Sequence, residues 1–152
     1  MDGLSAAANV IAIVEISAKI YSLCQEYYVG VKNTRRDIQR LSNEVLALHE
    51  ILEKLAELVN SANASKFATL ALLDKKDGPA DQCAQQLKNI ITKLEPNEDM
   101  KRLGWRALKW PLKSEKVNEF VTIIERHKST FTLALGTDQA YAMFLHLDLL
   151  AC

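Results

Sequence analysis

Residues 37–59, DIQRLSNEVLALHEILEKLAELV, place Ile38, Leu41, Val45, Leu48, Leu52, Leu55 and Val59 at spacings that alternate three and four without a miss. At about 3.6 residues per helical turn these seven side chains share one stripe. Glu44, Glu50 and Glu53 fall off the stripe and read as a solvated face. A heptad seam of this length, in a chain of 152 residues, fits the inside of a bundle better than a long coiled coil.

Working outward, Gly30 to Thr34 breaks the chain upstream, with Gly30 suited to a C-terminal cap. Thr34, three residues before Asp37, predicts a capping-box start for the heptad helix. Downstream, 60–65 reads as a turn and 66–74 as a short helix. Lys75-Lys76-Asp77-Gly78-Pro79 then breaks the chain, and Pro79 is tolerated at the start of a helix. That helix carries Cys83, Leu87, Ile90, Ile91 and Leu94 on one face and stops near Pro96. A short helical piece spans 99–109. Ser114 is placed to cap a further long helix, whose inward face is Val117, Phe120, Val121, Ile124, Phe131 and Leu135. Gly136 is expected to interrupt it, with 137–150 as a separate helix. No strand alternation and no internal repeat is visible. The expectation is all-α: a single-domain helical bundle over 1–152, four long helices plus short connecting helices. Its predicted core includes Phe120, Ile124 and Phe131 beside the seven heptad residues.

Composition agrees with an ordinary globular chain, about half hydrophobic and a quarter charged, with few Gly and Pro. Nineteen basic and nineteen acidic residues give no net charge, so no global field points to nucleic acid. Cys24, Cys83 and Cys152 are scattered and odd in number, which suits a reducing compartment rather than a disulfide framework or metal knuckle. The first basic residue, Lys19, follows the apolar run, unlike a secretory signal. Asp2 before Gly3 spoils a myristoylation motif, and the terminal Cys152 is misplaced for prenylation. The sequon Asn63-Ala64-Ser65 is read as accidental.

Chemistry-bearing motifs are sparse. His49, His127 and His146 stand singly, without zinc-site spacing. Gly30-Val31-Lys32-Asn33-Thr34 lacks the upstream glycine and preceding strand that a phosphate loop needs. The chain is therefore expected to be no enzyme, with no cofactor and no metal.

Two stretches remain. Between Lys101 and Lys116 lie six basic residues and two tryptophans against one acid, Glu115. Lys101, Arg102, Trp105, Arg106, Lys109 and Trp110 are candidates for gripping anionic lipid headgroups. The competing and preferred reading has the tryptophans plug a corner of the bundle while the cations stay in water. The second stretch is the N-terminus. From Gly3 to Leu23 only Glu15 and Lys19 are charged. The inward face of this helix, read over Leu4 to Val29, is predicted as Val10, Ile13, Val14, Ser17, Ile20, Tyr21, Cys24 and Tyr28, while Ile11, Ala12 and Ile16 make it apolar nearly all round. Leu4 to Leu23 would measure ~30 Å, the thickness of a hydrocarbon core. Glu15 near its middle makes it marginal as a lone span. In an oligomer Glu15 would face a water-filled lumen or pair with Lys19 one turn on. On pattern alone, a buried central helix is the stronger reading.

MDGLSAAANVIAIVEISAKIYSLCQEYYVGVKNTRRDIQRLSNEVLALHEIL resembles the start of the HeLo-like N-terminal domains of fungal NLR-type (STAND) receptors, and LKWPLKSEKVNEFVTIIERHKSTFTLAL is similar to their other recurring stretch. The resemblance spans 1–139. It implies an effector bundle akin to the HeLo domain of the HET-S toxin and to the four-helix bundle of the necroptosis pseudokinase. It implies cytoplasmic residence at rest and the plasma membrane on activation. Residues 1–29 would be the membrane-active helix, with Leu4, Val10, Ile11, Ile13, Val14, Ile16 and Ile20 inserting. Implied partners are anionic membrane lipids, further copies of the chain on activation, and a nucleotide-binding receptor module in the same or another chain. Two classes of function follow: a membrane-permeabilising cell-death effector, or a non-lytic adaptor that recruits partners through helix surfaces.

Overall fold

The heptad stripe forms the helix that organises the molecule. The protein was analysed as a computed structural model, which describes the backbone of residues 3–60, 75–103 and 109–151, and side chains within 8–60, 75–98, 101–102 and 109–136. Five helices are described: α1 (Gly3–Gly30), α2 (Arg35–Val59), α3 (Pro79–Leu94), the short α4 (Glu98–Leu103) and α5 (Ser114–Ala151). No strand occurs among the described residues. The expected turn and short helix over 61–74 lie outside them. The fold is an all-α bundle of four long helices with a short connecting helix.

Polar cross-links define the directions. Ser17 meets His49 and Gln25 meets Ser42, so α1 and α2 run antiparallel. Ser114 with Asp37, Asn118 with Arg40 and Lys128 with Glu44 show α5 running parallel to α2. Gln86 with His127 sets α3 against α5. α1 packs along both α2 and α3, α2 also packs on α5, and the α3–α5 contact is lighter. All seven heptad residues of α2 are buried, together with Phe120, Ile124 and Phe131 of α5. They join α1 and α3 residues in one core. Burying each such aliphatic or aromatic side chain contributes about 1.5–3 kcal/mol.

Four local expectations change. Thr34 does not cap α2: its φ of 67° is left-handed and its hydroxyl turns back to the Asn33 carbonyl. Asp37 is thereby left to receive the Ser114 hydroxyl at 2.7 Å. Ser114 accordingly ties α5 to α2, while the first turn of α5 closes through Lys116 and Val117 N–H groups onto the Lys113 carbonyl, both at 3.0 Å. Gly136 does not interrupt α5, which runs unbroken for 38 residues. A glycine inside a helix costs only ~1 kcal/mol relative to Ala, too little to end a helix of that length. Finally, α1 buries Tyr27 and leaves Tyr28 half-buried, because the inward stripe runs Val10, Ile13, Ser17, Ile20, Cys24, Tyr27.

Candidate functional site

The stretch singled out for membrane activity is α1, and its seat is the candidate site. Val10, Ile13 and Ile20 have no exposed surface, Val14 and Ile16 are half-buried, and Ile11 is 46 % exposed. Leu4 belongs to α1, but its side chain lies outside the described residues. The helix thus keeps one apolar face in the core and shows further apolar surface at Ile11 and Ala12. No helix of the described residues is long and apolar enough to cross a membrane. Within α1, Glu15 and Lys19 each burden a lone span.

Polar contacts bolt α1 in place at four levels. Buried Ser17 lies 2.9 Å from His49 Nδ1 and 2.8 Å from the Val14 carbonyl, and His49 Nε2 sits 2.7 Å from Glu53. In the closed bundle Lys19 is taken by Glu95 at the α3 terminus, at 3.0 Å. Gln25 donates to Ser42 at 3.0 Å. Tyr27 donates its hydroxyl to the Leu94 carbonyl, one of the carbonyls a helix end leaves without an intrahelical partner. Glu15, Ile16 and Lys19 face Lys88, Ile91, Thr92 and Glu95 across a groove of about 400 Å³ between α1 and α3.

Ser17, His49 and Glu53 have the residue types of a hydrolytic triad. Their order on the ring is reversed, with serine on Nδ1 and carboxylate on Nε2, and Ser17 is fully enclosed. No substrate can meet that hydroxyl, so the row is a structural bolt. A serine within an apolar stripe was the sequence signal for it, since buried hydroxyls need partners. Burial pushes the thiols of Cys24 and Cys83 up to about 12, leaving both inert near neutrality. His127, buried against Phe131, is held below the usual imidazole range by desolvation. No group of three His, Cys, Asp or Glu able to hold a metal occurs among the described residues.

The basic corner divides. Lys101, Arg102 and Lys109 are exposed, whereas Trp105 and Arg106 lie outside the described residues. Trp110 packs edge-on against Tyr27, with centroids 5.3 Å apart at 82°, and its indole N–H is buried without a partner among the described residues. Trp110 therefore packs as a plug at the α1–α5 corner, and the adjacent Lys109 is exposed.

The model of the family described as the N-terminal region of pigment biosynthesis cluster protein PigL matches residues 1–143. The chain belongs to this family. The match ends inside α5 and takes in α1 to α4 entire. No curated protein matches the chain, and no solved structure does.

Proposed function

We propose that this bundle is a membrane-targeting cell-death effector domain, in which oligomerisation frees α1 to enter the plasma membrane and permeabilise it. The observation that carries the reading is the composition of α1. It supplies Val10, Ile13 and Ile20 to the core and still presents Ile11 to water, so apolar surface awaits lipid on more than one side. The likeness to HeLo-like domains supports the same reading. Because Glu15 and Lys19 burden a lone span, entry requires several α1 helices whose charges face one another or a wet lumen. Releasing α1 gives up the burial of Val10, Ile13, Ile20, Cys24 and Tyr27, on the order of 10 kcal/mol, which clustering and lipid contact must offset.

A second reading is a non-lytic adaptor. It is favoured by Glu15 and Lys19, which burden a membrane-crossing α1, and no described helix is long and apolar enough to cross a membrane. The PigL family description names a biosynthetic cluster and no reaction, which is compatible with either reading.

Dye leakage from anionic vesicles, with the protein multimerised through a fused dimeriser, separates them. The effector reading expects leakage from the wild type and its loss in Ile11→Asp. Ile11 is exposed, so that change leaves the closed bundle folded while adding about 2.5–3.5 kcal/mol to insertion at mid-bilayer. Vesicles that stay sealed under forced multimerisation, or leakage indifferent to Ile11→Asp, refute it.

A further inference from the structure

Between the C-terminal half of α1 and the N-terminal half of α2 lies a cleft of about 240 Å³ lined by Tyr21, Gln25, Tyr28, Ile38, Gln39, Ser42 and Asn43. None of the seven carries a charge. Its volume is below the ~300 Å³ at which drug-sized pockets begin, so it suits a single ring system. Ile38 and Ser42 are buried beneath it, Tyr21 and Tyr28 are half-buried, and Gln25, Gln39 and Asn43 are exposed. The floor is set by the Gln25 amide donating to Ser42 at 3.0 Å, which leaves Gln25 Oε1 as an acceptor. Tyr28 is braced by Arg35, whose guanidinium lies 5.2 Å from the ring centroid and is tethered to the Val31 carbonyl at 3.1 Å.

The side-chain amides of Gln39 and Asn43 and the hydroxyls of Tyr21 and Tyr28 make no hydrogen bond to another described group. Packing of the core does not require three carboxamides and two phenols at one seam. We propose that this cleft binds a flat, uncharged heteroaromatic base with a donor–acceptor edge, of the adenine type, presented by a free nucleoside. Carboxamides pair bidentately with the adjacent donor and acceptor of adenine, and tyrosine rings stack on base faces. The uncharged lining, with Arg35 beside Tyr28, disfavours a cation inside the cleft, since it would lose solvation without gaining a partner. The bound base would bridge α1 to α2 and stabilise the closed bundle by mass action. This inference stands apart from the effector reading, because binding and its effect on folding are measurable without membranes.

The test is a titration of the folded chain with adenosine, followed by amide and side-chain chemical shifts, with methyl glucoside as the non-aromatic comparison. Saturable shifts confined to Tyr21, Gln25, Tyr28, Gln39, Ser42 and Asn43 are expected, with a rise in melting temperature on adding adenosine. Asn43→Ala and Gln39→Ala, both at exposed positions, should each weaken binding about tenfold while the ligand-free melt stays unchanged. Absence of saturation, shifts outside the cleft, equal binding of methyl glucoside, or affinity unaltered by both substitutions each overturns the proposal.

Discussion

Tyr27 shows how one residue carries packing and polarity together. Its ring is buried against Trp110 and its hydroxyl reaches the Leu94 carbonyl at the end of α3. Tyr27→Phe keeps the ring and strands that carbonyl, so stability should fall by about 1–3 kcal/mol. A urea melt checks this, with the midpoint lowered and the slope unchanged. Titration gives a second residue-level test. Burial first, then the charge of Glu26 and the Cys24 thiol, push the Tyr27 phenol up to about 12. His127 shifts the other way, below its ordinary 6.5, through desolvation. Between its folded value and 6.5 the unfolded chain binds a proton that the native His127 refuses, so stability falls as pH drops through that window. Between pH 9 and 12 the native Cys24 and Cys83, and between pH 10 and 12 the native Tyr27, hold protons that the unfolded chain has lost, so stability falls again as pH rises. Urea midpoints should therefore trace a plateau near neutrality, and His127→Gln should flatten its acid limb. An acid limb of undiminished slope in that variant would put the titrating group elsewhere.

At the scale of the helix, α2 was legible outright because its stripe depends on local periodicity alone, and all seven positions are buried. The inward face of α3 was read correctly apart from Ile91, which is half-buried, and Pro79 opens that helix as expected. Helix ends were harder to read. Thr34 and Ser114 have the right chemistry for caps, yet each hydroxyl found another partner, in one case a carboxylate on a helix 77 residues away. Contacts between distant elements leave no mark in local pattern. The bolt joining Ser17 to His49 crosses 32 residues, and only the polar position in the stripe hinted at it. Gly136 misled for the opposite reason, since a weak breaker was weighed above the pattern on both sides. Space around its missing Cβ is empty to 4 Å, and it lies within α5. Gly136→Ala should therefore raise stability by about 0.5–1 kcal/mol, through helix propensity and a less mobile unfolded chain. A thermal melt that moves down would mean that the glycine serves some close approach.

For the whole molecule, the position of α1 decides how activation must work. α1 packs along α2 and α3, and α5 reaches the core chiefly through α2. Removing α1 therefore opens two seams at once, and the closed bundle has no cheap partial release. Two substitutions on this one helix then have opposite signs. Ile13 has no exposed surface, and Ile13→Ala costs the closed state about 2–5 kcal/mol while leaving an apolar residue for lipid. Ile11 is exposed, so Ile11→Asp leaves the closed state nearly untouched and penalises only the membrane-bound one. If activation exchanges core burial for lipid burial, vesicle leakage at fixed protein concentration should rise in Ile13→Ala and fall in Ile11→Asp. Circular dichroism should confirm that both remain helical at the assay temperature. An adaptor that never unpacks α1 responds differently: neither variant changes vesicle integrity, and Ile13→Ala merely lowers the melting temperature. The sign of the Ile13→Ala effect on leakage thus reports whether the core of this bundle acts as a restraint on α1 or simply as its scaffold.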